Sequence, residues 1–94
     1  MSSSARRPPQ VRLYHARDCH LCERARALLD ELRGQVGFEL EEIDITGDPA
    51  LEERYREWLP VVEIDGERAF VYHVQRDAFI RKVLAQSQPR AAGG

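Results

Sequence analysis

The stretch from Val11 to Arg33, VRLYHARDCHLCERARALLDELR, decides how this chain folds. It opens on Val11 to His15, an extended run with Val11 and Leu13 on one face. A short turn, Ala16-Arg17-Asp18, leads to a helix expected from near Cys19 to Arg33. The apolar positions Leu21, Ala25, Leu28, Leu29 and Leu32 recur at spacings of four, three, one and three, the stripe of an amphipathic helix. Gly34 supplies the stop.

Cys19-His20-Leu21-Cys22 falls at the start of that helix. Cys22, Ala25 and Leu29 share a face, so Cys22 leans toward the core, whereas Cys19 sits beside the solvent-facing turn. A thiolate at Cys19 would lie among unpaired backbone N–H groups and near the positive end of the helix dipole. Both effects lower a thiol pKa and favour Cys19 as the nucleophile, with Arg17 and a protonated His20 adding positive charge. Cys22, less exposed, suits the resolving role. Side chains three apart on a helix have Cβ atoms roughly 5–6 Å apart, while a disulfide wants about 3.5–4.5 Å. A pair at the helix boundary closes that gap by adjusting the capping residue, so a Cys19–Cys22 disulfide is expected.

Downstream, Phe38 and Leu40 alternate with charged residues, and Ile43 and Ile45 alternate in the opposite phase. The pattern predicts a second strand with a bulge or an early end near Glu42. Asp48-Pro49 reads as an N-cap followed by proline at the first helical position. Leu51, Tyr55, Trp58 and Leu59 then fall on one face; Tyr55 and Trp58 are expected in the core, and Pro60 ends the helix or follows it. Val61 to Ile64, the turn Asp65-Gly66 and Glu67 to Tyr72 predict a β-hairpin. A last helix is expected over about Gln75 to Gln86, with Phe79, Ile80, Val83 and Leu84 inward.

The element order is βαβ-α-ββα. A right-handed βαβ unit makes the first two strands parallel and the hairpin is antiparallel. The expected fold is therefore α/β, a four-stranded mixed sheet flanked by helices. Residues 1–9 and 87–94 read as disordered tails around one domain, 10–86.

Composition narrows the function. Fourteen basic and 16 acidic residues leave a formal charge of -2, which gives no reason to expect nucleic acid as a partner. No apolar run is long enough to span a bilayer, and no apolar stretch follows Arg6 and Arg7 as in a secretory signal. No membrane partner is expected, and the chain reads as a cytoplasmic monomer. Two cysteines three apart close too short a loop to staple a fold, so the pair is there for chemistry. Zinc normally takes four ligands, and only His15, His20 and His73 could add to the cysteines; with His20 strained between them, no metal site is expected.

Four features together resemble the glutaredoxin-like branch of the thioredoxin superfamily over roughly Gln10 to Gln86. They are the strand Val11-Arg12-Leu13-Tyr14, Cys19-His20-Leu21-Cys22 opening a helix, Leu59-Pro60-Val61, and the hairpin and helix that follow. The resemblance implies a thioredoxin-like fold and a thiol–disulfide oxidoreductase reducing protein or glutathione-mixed disulfides, in electron transport and cell redox homeostasis. It implies a cis Pro60 facing the disulfide, and a Leu59 backbone that pairs with an extended peptide or glutathione. With Arg17 and His20, these residues form the expected substrate contacts. No tightly bound cofactor is expected; glutathione is the candidate reductant. The chain departs from the family where paired glycines and an acidic residue hold glutathione: near that place stands Tyr72-His73-Val74-Gln75-Arg76-Asp77. Two other readings stay open, a thioredoxin-fold interaction or redox-sensing module without turnover, and a metal or iron–sulfur carrier.

Overall fold

The computed structural model describes residues 8–87. The parts of the two expected tails at 1–7 and 88–94 lie outside the described residues. Pro9, grouped from sequence with the N-terminal tail, is buried, and its carbonyl accepts from the Glu39 N–H at 2.9 Å.

Seven main elements follow in order: β1 (Gln10–His15), α1 (His20–Leu32), β2 (Glu39–Asp44), α2 (Pro49–Tyr55), β3 (Val61–Ile64), β4 (Glu67–Val71) and α3 (Arg76–Ser87). A 3-10 turn, Arg56–Trp58, follows α2 directly. The sheet order is β2-β1-β3-β4. β1 runs parallel to β2 and antiparallel to β3, and β3 is antiparallel to β4. This is a four-stranded mixed sheet of thioredoxin-like arrangement, with β1 central and the chain after it delivered to one end of the sheet.

Both faces of the sheet are covered. Val11 and Leu13 of β1, with Val62 and Ile64 of β3, meet Ala25, Leu29 and Leu32 of α1 and Phe79 and Val83 of α3. Phe79 is fully buried and meets Phe38 edge-on, ring centroids 5.1 Å apart. On the other face Tyr14 and Val61 pack with Ile45 and with Tyr55 of α2. The alternation within β1 (Val11 and Leu13 one way, Tyr14 the other) is the period of two that a doubly covered strand needs.

The covering of both faces explains why β2 departs from expectation. The strand pairs with β1 in unbroken register from Gln10↔Glu39 to His15↔Asp44, with no bulge near Glu42. Leu40 packs on the α1 side and Ile43 on the α2 side, so the change of phase is a change of face, not a slip in pairing. The irregularity lies elsewhere: the β3–β4 register shifts between Val62 and Glu63, passing from Phe70 to Arg68 across Ala69. The hairpin turn is the expected one, with Asp65 and Gly66 at φ 51° and 86°.

Two residues expected inside are outside. Trp58 is 42% exposed, because the chain tightens to a 3-10 turn after Tyr55 and rotates Trp58 off the buried face. Leu84 is 45% exposed; Phe79 and Val83 already fill the core-facing line of α3. Among the described residues no helix is long and apolar enough to cross a membrane.

Candidate functional site

Asp18 adopts φ 55°, a left-handed conformation that turns the chain out of β1 and into α1. The turn is pinned from the side: the Arg17 N–H donates to Thr46 Oγ1 at 3.1 Å, and the Ile45 N–H donates to the His15 carbonyl at 2.8 Å. Cys19 thereby becomes the N-cap of α1, in extended conformation, with its Sγ accepting from the Cys22 N–H at 3.2 Å. Its carbonyl accepts from the Glu23 N–H at 3.1 Å, the first turn of the helix. An N-cap normally offers oxygen to those orphan donors; here sulfur does so.

The two cysteines are joined in a disulfide, with Cα atoms 5.2 Å apart. Cys19 is half-buried and borders solvent; Cys22 is 3% exposed, on the inward face with Ala25 and Leu29. The pair is therefore asymmetric, with one sulfur reachable from outside and the other held from within.

Cys19 opens onto a groove of about 360 Å³, whose walls include Arg17, Thr46, Glu52, Arg56 and Leu59. Leu59 is half-buried at its edge. The Leu59–Pro60 peptide is cis, as the resemblance implies, and Pro60 is buried. The Pro60 carbonyl accepts from the Tyr72 N–H at 2.9 Å, tying the start of β3 to the end of β4. A smaller groove, about 150 Å³, lies beside Leu21 and is lined also by Arg24, Tyr72, His73 and Val74.

Of the residues expected at the site, Arg17, Cys19 and Leu59 share one groove, Cys22 is buried one helical turn after Cys19, and Pro60 is buried and does not line the groove. His20 is exposed on the first turn of α1 and does not line the groove. Sequence reasoning missed Glu52 and Arg56. They form an i,i+4 ion pair at 3.4 Å, and Glu52 also accepts from the Gly47 N–H at 2.8 Å. Their spacing was visible on the helix, but the face they present depends on how α2 lies on the sheet. Among the described residues no group of three or more His, Cys, Asp or Glu is placed to hold a metal ion.

The Asp44 carboxyl is held below the usual carboxylate range, first by the Thr46 N–H, which donates to it at 2.9 Å, and less by His15 and Arg17 nearby. On the α2 face, burial pushes the Tyr55 hydroxyl up to about 12, helped by its neighbours Tyr14 and Glu63.

A mixed sheet of this order with a dithiol at the N-cap of its first helix defines a thioredoxin-fold protein. The comparisons make the class more particular: the Glutaredoxin-like domain family (DUF836) matches residues 10–85, and the chain belongs to that family. Uncharacterised proteins of Mycobacterium tuberculosis and Mycobacterium bovis are each 35% identical over 84 residues, covering 84% of this chain and 86% of theirs. A protein of Nitrosomonas europaea solved by NMR superposes with a TM-score of 0.70 at 29% identity, covering 82% of this chain and 93% of that one. A thioredoxin mutant from Halobacterium salinarum gives 0.67 at 18% identity, covering 92% and 80%, a likeness of fold alone. The Cys19–Cys22 pair at the helix start of this fold fits a redox function.

Proposed function

We propose that the protein is a thiol–disulfide oxidoreductase that reduces protein or glutathione-mixed disulfides, in the cytoplasm and with glutathione as reductant. The observation that carries this is the asymmetry of the pair: Cys19 caps α1 at the mouth of a groove, while Cys22 is buried one helical turn after it. The reduced Cys19 thiolate attacks one sulfur of the substrate disulfide, forming a mixed disulfide and expelling the first substrate thiolate. The Cys22 thiolate then attacks Cys19 Sγ, forming the Cys19–Cys22 bond and releasing the second substrate thiol. Two electrons pass to the substrate, and two thiol protons leave the protein. Arg17, on the groove wall, and His20, on the exposed first turn, contact the substrate, and an extended chain pairs with the backbone of Leu59 beside Pro60.

Covalent trapping tests this. Each mutant is mixed with an oxidised substrate, and adducts are sought by mass spectrometry. Cys22→Ser leaves attack intact but removes the resolving thiol, since a serine hydroxyl is a poor nucleophile at neutral pH, so adduct accumulates. Cys19→Ser gives none. Equal trapping by both mutants would refute the division of roles. Trapping by neither would favour an interaction or sensing module without turnover.

A further inference from the structure

The second half of that cycle needs a proton acceptor. Cys22 is 3% exposed, and burial disfavours the thiolate, so its thiol must lose a proton to a neighbour as it attacks. The apolar cluster under α1 offers none, and Leu13 of β1 is fully buried in it.

One step along β1 toward the site, the pattern changes. His15 has the same parity as Val11 and Leu13 and so belongs to the α1 face of the sheet. In β2, Leu40 packs on that face, and Glu42 reaches Arg26 of α1 at 3.1 Å, so Asp44, two further on, belongs to it as well. The parallel register sets His15 directly beside Asp44. At this corner a second groove, about 190 Å³, is lined by Cys22, His15 and Asp44 together. The other charged groups on its walls are Arg17 and Asp18 of the turn and Glu23 and Arg26 of α1.

Elimination among these groups leaves one. Arg17 and Arg26 carry no basic site. Carboxylates such as Asp18 and Glu23 are far more acidic than a thiol, and general-base catalysis works best when the base titrates near the operating pH. Asp44 is the poorest acceptor of the three acids, because the Thr46 N–H holds its charge. Imidazole is the side chain suited to the task, and a fixed carboxylate beside it stabilises the imidazolium that forms.

We infer that His15, backed by Asp44, is the general base that deprotonates Cys22 for the resolving step. This rests on the roles given above to Cys19 and Cys22. The S–H proton passes to the imidazole, and the Cys22 sulfur attacks Cys19 Sγ of the mixed disulfide. The new S–S bond forms as the substrate sulfur departs with its electron pair. The imidazolium then returns its proton to solvent or to the departing thiolate. This groove shares the Ala16-Arg17-Asp18 turn with the groove of Cys19 and Leu59, but His15, Cys22 and Asp44 line this one alone.

The two half-reactions separate in a stopped-flow reaction of the reduced protein with 5,5′-dithiobis(2-nitrobenzoic acid). Attack by Cys19 releases the first thionitrobenzoate, and resolution by Cys22 releases the second. His15→Asn and His15→Gln are each expected to slow the second phase by about 100-fold or more, the range of general-base effects, and to leave the first unchanged. In the wild type the second phase rises with pH as the imidazole loses its proton. Asp44→Asn removes a charge that favours the imidazolium, so that rise moves to lower pH, a shift that a merely structural role would not produce. An unchanged second phase in both His15 variants overturns the inference, as does equal slowing of both phases. Release of only one equivalent by the wild type would instead remove the resolving role of Cys22, and the inference with it.

Discussion

The backbone N–H of Cys22 donates to the Sγ of Cys19 at 3.2 Å, so the nucleophilic sulfur is also the cap of its own helix. A thiolate accepts that bond better than a thiol does, and it lies at the positive end of α1. Reduced Cys19 is therefore expected to alkylate with a midpoint below the free-cysteine value of about 8.5. Asp18 opposes the shift. Asp18→Asn removes its charge while tolerating φ 55°, and is expected to lower the midpoint further. Iodoacetamide rates against pH measure both, and an unshifted or raised wild-type value removes the nucleophile assignment.

Tyr55 gives the protein an alkaline limit. Its ring stacks on Tyr14 with centroids 4.1 Å apart, and both hydroxyls donate to Glu63, at 3.3 Å and 3.4 Å. Burial raises its folded pKa from 10.0 to about 12. A raised folded value means that this stabilisation is complete below the unfolded value and is lost as pH climbs from about 10 through about 12. Melting temperature is expected to fall over that window, and Tyr55→Phe to flatten the fall. At neutral pH the same variant loses one hydrogen bond and about 0.5–1.5 kcal/mol. An identical alkaline decline in the variant would assign the loss to other groups.

The hairpin turn tests backbone strain apart from packing. Gly66 sits at φ 86°, and an added Cβ would meet nothing within 4 Å. Gly66→Ala is therefore expected to cost about 1 kcal/mol through its left-handed backbone alone. Gly37 has equally open surroundings without the positive φ, and Gly37→Ala is expected to stay within about 0.5 kcal/mol of the wild type. Urea denaturation of the two variants reads the difference. Equal effects would mean that the turn tolerates a side chain.

What was legible in the sequence was what local pattern controls. The stripe Leu21 to Leu32 fixed the first helix, Asp48-Pro49 capped the second with Asp48 Oδ1 accepting from the Leu51 N–H at 3.2 Å, and Asp65-Gly66 closed the hairpin. Cys19 and Cys22 were legible for the same reason: a helix start and a helix face are both local. What escaped depends on contacts between elements. The two phases of β2 needed knowledge that both faces are covered. Trp58 needed the 3-10 tightening, which advances each residue by about 120° rather than 100°. Arg56 in the groove and the pairing of His15 with Asp44 needed the lie of α2 and the register of β2, which no spacing along the chain reports.

Tyr72 opens the segment, Tyr72 to Asp77, near which the glutaredoxin resemblance would put the paired glycines that hold glutathione. It adopts φ 67°, a conformation that suits glycine and costs a tyrosine on the order of 1–3 kcal/mol. Three contacts hold it there: its N–H donates to the Pro60 carbonyl at 2.9 Å, its hydroxyl donates to the Glu57 carbonyl at 3.0 Å, and its ring lies 6.1 Å from Trp58. Tyr72, just after β4, thus forms an exposed aromatic pair with Trp58 of the 3-10 turn, where the resemblance would put an open glycine backbone for glutathione to approach. Glutathione is expected to half-saturate the protein only at about 1 mM or above, a binding free energy of roughly -4 kcal/mol. Trp58 is the single tryptophan and is 42% exposed, so its emission reports ligand arrival without a label. Tyr72→Gly relieves the backbone and clears the surface, and is expected to tighten glutathione severalfold. Wild-type saturation at about 10 μM would mean that Arg17 or Arg76 has replaced the missing glycines. Unchanged weak binding in Tyr72→Gly would place the obstacle elsewhere than at this ring.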